Sequence, residues 1–120
     1  MEQYLLDLDL PPADDAPQLA RQALAARLGQ ILSESELIDA QIIASELVTN
    51  AVQHGHGPIA LRVQATQHEL IVQVEDHRGQ AAAALAEQPS KALVRQLFAS
   101  AGARWGTDAA AAWACVSIAG

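Results

Sequence analysis

Apolar and polar positions alternate at the start of the chain. Tyr4, Leu6, Leu8 and Leu10 fall on one parity, with Leu5, Asp7 and Asp9 on the other. That period of two predicts a strand with one apolar face, ended by Pro11 and Pro12. From about Asp15 to Leu32 the chain is rich in Ala, Leu, Arg and Gln, all strong helix formers. Asp14, Asp15 and Pro17 supply a helix start, and Gly29 lies near the end. Ser33 or Ser35 then caps a second helix, with Glu36 placed for a capping box. Its apolar positions, Leu37, Ala40, Ala44, Leu47, Val48 and Ala51, recur as a helical stripe as far as Gln53 or His54. The run from Gly55 to Pro58 breaks that helix. Two alternating strands follow. Ile59, Leu61, Val63 and Ala65 share one face of the first, and Leu70, Val72 and Val74 one face of the second. Gln67-His68 makes a tight hairpin connection between them.

The pattern weakens from about His77 to Ser90, a stretch with an Ala run that reads as a loop or a short helix. A helix is predicted from about Lys91 to Ala101 and ends at Gly102. Trp105 and the run from Ala112 to Ile118 mark two closing strands. The order β-α-α-β-β-loop-α-β-β predicts a layered α/β sandwich. Its 120 residues fit one domain spanning 1–120.

Composition and charge narrow the function classes. Apolar residues make up 51% of the chain but aromatics only 3%, so the core is built from Ala, Leu, Ile and Val. The net charge of -7 argues against a nucleic-acid binder, which needs a basic face, and against an anionic membrane surface. It is compatible with a basic protein partner, although solubility alone explains it. The single cysteine, Cys115, rules out a disulfide within the chain and a Cys metal cluster, and its strand-like setting predicts a buried structural thiol. No apolar run is long enough to span a bilayer, and the first ten residues lack the basic region of a signal peptide. The cytoplasm is the expected location.

Glu46, Asn50 and His54 are spaced four apart and form one polar ridge beside the apolar stripe of the second helix. A Glu there can accept a proton or orient water, and an Asn offers a neutral oxygen to a hard cation such as magnesium. Spacing alone also describes, and favours, an ordinary solvated helix face. Asp76 shares parity with Leu70, Val72 and Val74 and should project toward the buried side. A carboxylate there needs a partner. It could bond the exocyclic amine of a bound base, or cap the turn that Gly79 signals. The four histidines, His54, His56, His68 and His77, are scattered over three segments and do not make a zinc site.

Glu-Leu-Val-Thr-Asn-Ala-Val-Gln-His-Gly, residues 46 to 55, resembles the N-box of the GHKL (histidine-kinase-like) ATPase superfamily. The wider run from Ile42 to Pro58 is similar to the small bacterial anti-sigma-factor serine/threonine kinases. Val-Gln-Val-Glu-Asp at 72 to 76 looks like the strand leading into the first glycine box. Ala-Leu-Val-Arg-Gln-Leu at 92 to 97 resembles the helix after the second, and Arg104-Trp105-Gly106 with Trp-Ala-Cys-Val-Ser-Ile resembles the family's end. The resemblance implies a Bergerat-type two-layer fold, a mixed β-sheet covered on one face by about three helices. It implies ATP and magnesium as cofactors. By that analogy Asn50 coordinates the magnesium of Mg-ATP and Glu46 serves as general base or water-orienting group. His54 sits near the start of the lid side, and Asp76 bonds the adenine amino group.

The chain departs from the family at the phosphate end. The first glycine box, usually Asp-x-Gly-x-Gly, reads Asp76-His77-Arg78-Gly79-Gln80, with one glycine displaced and the second missing. Gln88 and Ser90 stand where the glycines of the second box belong. Those glycines let backbone N–H groups approach phosphate, and Pro89 has no N–H at all. Lys91 and a helix start replace the lost donors only in part. The resemblance therefore implies a partner-switching regulator of a sigma factor or a STAS-type anti-anti-sigma protein, with Mg-ATP binding and kinase activity weak or lost. An active protein serine/threonine kinase acting on a STAS-type protein is the second reading. A non-enzymatic dimerisation or scaffold domain, pairing through exposed sheet edges, is the third.

Overall fold

The computed structural model describes residues 4–54, 57–76, 79, 104–108 and 111–118. Five strands and two helices occur among them: β1 (Leu6–Leu10), α1 (Ala16–Leu28), α2 (Glu34–His54), β2 (Ile59–Ala65), β3 (Glu69–Glu75), β4 (Arg104–Asp108) and β5 (Ala111–Ser117). The strands form one sheet in the order β1-β2-β3-β5-β4. The two-layer α/β architecture is as the sequence suggests. The third helix, expected over 91–101, and the weakly patterned 77–90 stretch lie outside the described residues, apart from Gly79.

One detail of the sheet differs from expectation. Every pairing among the described residues is antiparallel, not mixed. A single-helix crossover returns the chain in the same direction and makes a parallel pair. Here two helices separate β1 from β2, and the extra pass reverses the second strand. The β2–β3 and β4–β5 connections are short, which also forces antiparallel pairs.

Period-two register builds the core. Leu8, Leu61, Val74 and Ala112 form one continuous cross-strand row. Leu6, Val63, Val72 and Ala114 form the next. All except the half-buried Leu8 are under 5% exposed, and they join Leu24, Leu28, Ile43 and Leu47 from the helices in one apolar cluster. Each fully buried Leu or Ile is worth about 1.5–3 kcal/mol relative to exposure.

The helix ends follow local chemistry. α2 opens on a capping box: the Glu36 N–H donates to Ser33 Oγ at 3.2 Å, and the Ser33 N–H donates to Glu36 Oε1 at 2.8 Å. α1 stops at Leu28 with Gly29 as its C-cap, so the glycine marks the end and the helix formers up to Leu32 lie beyond it. The N–H groups of Ile31 and Leu32 both turn back to the Leu28 carbonyl at 3.0 Å, which closes a tight turn and tucks Leu32 into the core.

On the sheet face away from the helices, Arg62 joins three strands. It donates to Glu75 at 2.5 Å and lies 3.4 Å from Asp7. The hydrogen bond that Arg62 donates to Glu75 raises the Arg62 pKa, the cost of burial opposes this, and the charges of Glu75 and Asp7 add to the rise. Tyr4 was expected on the core face, but its ring lies under the Arg62 guanidinium, 5.9 Å from the centroid. A bend at Leu5 breaks the strand's parity before Leu6 and frees Tyr4 to take that place. Cys115 is buried in β5, as its setting suggested.

Candidate functional site

The helical period divides α2 into a sheet-facing arc and two flanks. Ala40, Ile43, Ala44, Leu47, Val48 and Ala51 are buried in the arc. One flank faces α1: Gln41 donates from Nε2 to the Arg21 carbonyl at 3.0 Å, and Ser45 Oγ accepts from Arg21 at 2.7 Å. Glu46 follows Ser45 but lies about 100° further round, on the opposite flank. Asn50 is one turn on and His54 one turn more. Asn50 is 1% exposed, while Glu46 and His54 are half-buried. The ridge is therefore not a solvated face. Its middle residue lies at the margin of the buried arc.

The sheet register shows which end of the molecule this flank occupies. Four residues separate His54 at the end of α2 from Ile59 at the start of β2. Ala60 pairs with Glu75, and Glu75 with Ala111. The end of α2, the start of β2 and the end of β3 are thus at one edge of the sandwich. Asp76 stands there, one residue past β3, on the helix-facing parity of Leu70, Val72 and Val74, and is 4% exposed. α2 packs directly on β3.

Asn50 and Asp76 are the two buried polar side chains among the described residues. Burying an amide or a carboxylate among aliphatic groups is costly unless hydrogen bonding compensates. Both exceptions to an aliphatic core fall at the same end of the fold, one on each layer. A carboxylate accepts from amines, and a neutral amide both donates and accepts. The pair can thus read a polar ligand held between helix and sheet.

Gly79 completes this edge. It is buried and has a φ of 69°, a conformation that disfavours residues with a Cβ. Its N–H donates to the Asp76 carbonyl at 3.5 Å. The glycine displaced in the sequence pattern is thus buried, at a positive φ, and bonded to the Asp76 carbonyl. Lys91, the remaining candidate, lies outside the described residues. Arg21, Gln41 and Ser45 carried no signal in the sequence, because their contacts join positions 20 and 24 residues apart.

Comparison with known proteins bears on this geometry. The family model described as histidine kinase-like ATPase domain matches residues 10–93. This chain belongs to that family. The match contains Glu46, Asn50, His54, Asp76, Gly79 and Lys91, and it ends before β4 and β5. No curated protein matches the chain. Within this histidine kinase-like ATPase domain, no helix among the described residues is long and apolar enough to cross a membrane.

Proposed function

We propose that this domain is an anti-sigma-factor-type regulator. It exchanges protein partners, a sigma factor or a STAS-type anti-anti-sigma protein, while binding Mg-ATP weakly and transferring phosphate slowly or not at all. The observation that carries the nucleotide half is the burial of Asn50 and Asp76 at one end of the fold. Asp76 accepts from the adenine amino group. Asn50 presents a neutral oxygen suited to magnesium, which takes few ligands from protein and the rest from phosphates and water. When bound, the metal ion offsets the charge of the phosphates. Glu46, one turn before Asn50, is placed to orient a water or accept a proton.

The weakness follows from the phosphate end. Gln88, Pro89 and Ser90 stand where the second glycine box belongs, and Pro89 has no N–H to offer a phosphate, so the sequence supplies fewer donors there, with Lys91 as a nearby charge. We expect a Kd for Mg-ATP on the order of 0.1–1 mM, about -5.5 to -4 kcal/mol. Asn50→Ala should weaken binding about tenfold when magnesium is present and little when it is absent, because it removes a metal ligand and no base contact. Calorimetry with and without magnesium measures both. A wild type that ignores millimolar Mg-ATP would remove the nucleotide half, and failure to capture any sigma or STAS protein would remove the partner half.

The half-buried Glu46 beside Asn50 supports a second reading, an active serine/threonine kinase. Phosphate incorporation into a STAS-type substrate at saturating nucleotide distinguishes it. None incorporated would sink it.

A further inference from the structure

We propose that Arg21 is a positioning residue for the nucleotide site. Through Gln41 and Ser45 it fixes the rotation of α2, and so the directions of Glu46 and Asn50. This rests on the nucleotide reading given above.

Arg21 meets α2 twice. Its main-chain carbonyl accepts from Gln41 Nε2 at 3.0 Å, and its guanidinium donates to Ser45 Oγ at 2.7 Å. Gln41 and Ser45 are four residues apart, one above the other on a single flank of α2. Both contacts are exposed, but two of them about one turn apart, made to one residue of a neighbouring helix, restrain both the rotation of α2 and its sliding along its own axis. The buried faces of the two helices carry Ala16, Ala20, Ala40 and Ala44 together with Leu24, Leu28, Ile43 and Leu47, which hold the helices in the core while the two hydrogen bonds tie one flank of α2 to α1.

Glu46 and Asn50 are one and five residues beyond Ser45, on the other flank. Side chains on a helix end about 5–6 Å from its axis, so a turn of roughly 20° would displace them by about 2 Å. A displacement of about 1 Å can cost roughly a hundredfold in a positioned reaction. Arg21 and Ser45 are on the side of α2 away from Asn50, so their role is exerted through the helix and not by contact with nucleotide.

The test compares Arg21→Ala, Arg21→Lys and Ser45→Ala with Arg27→Ala, which removes the same charge from the last turn of α1. Backbone and side-chain amide NMR of the ligand-free proteins should show the Asn50 side-chain amide and the His54 backbone shifted in Arg21→Ala and Ser45→Ala. Signals from β1 and β2 should hold still, and Arg27→Ala should resemble wild type. Mg-ATP affinity should fall about tenfold in Arg21→Ala, be partly restored in Arg21→Lys, and fall no further in the Arg21→Ala, Ser45→Ala double variant. Shifts confined to Gln41, Ser45 and their immediate neighbours would overturn the proposal. So would equal effects from Arg27→Ala. A wild type that binds no Mg-ATP would defeat the nucleotide reading, and the ligand-free shifts then decide the role of Arg21 separately.

Discussion

Single positions at the site differ in what they tolerate. Gly79 combines burial with a φ of 69°, a region that costs a residue with a Cβ about 1–2 kcal/mol. Gly79→Ala should therefore lower stability to urea by about that amount, and it should also weaken Mg-ATP binding because the Gly79 N–H bonds the Asp76 carbonyl. Gly57 has a φ of 74° but is exposed in the loop between α2 and β2. Replacing it should affect stability without affecting the nucleotide. The burial of Asp76 was legible in the sequence from its parity with Val72 and Val74. The burial of Asn50 was not, because spacing of four fits both a solvated ridge and the margin of a buried arc. Only the angular position of the packed layers decides between them. Tyr4 failed for a related reason: parity holds only while the strand is unbent, and the bend at Leu5 lies just outside β1.

Elements depend on their ends and on each other. The Ser33–Glu36 capping box satisfies two orphan N–H groups at the start of α2, so Ser33→Ala should cost about 1 kcal/mol, read as a lower midpoint in urea at unchanged slope. Its effect on Mg-ATP affinity should be small, since Glu46 and Asn50 lie more than two turns away. This start was legible because Ser-x-x-Glu is a local signal. The end of α1 was legible in part: Gly29, expected near the end, is its C-cap, while Gln30, Ile31 and Leu32 carried no signal for the turn that brings Leu32 into the core. The contact between α1 and α2 through Arg21 was invisible to any local pattern. It joins residues from two helices whose relative rotation is set only on folding.

The whole molecule rests on one aliphatic layer between sheet and helices. Leu61 is fully buried near its middle, paired with Leu8 on one side and Val74 on the other. Leu61→Ala should cost about 2–5 kcal/mol. Against a total stability of about 5–15 kcal/mol for a chain of this kind, that is a large share, visible as a lower Tm in calorimetry. The layer order was legible because β2 and β3 alternate cleanly. The direction of β1 relative to β2 depends on the number of helical passes between them, a property of the connection and not of either strand. The strand order has a consequence for assembly. β5, the last strand in chain order, lies between β3 and β4. While the chain is being synthesised, β3 presents an unpaired edge beside Leu70, Val72 and Val74 until the residues of β5 emerge. The β4–β5 hairpin must then dock on that edge. The interval before it does so is when this protein is most open to pairing with another chain, and when a chaperone has most to protect.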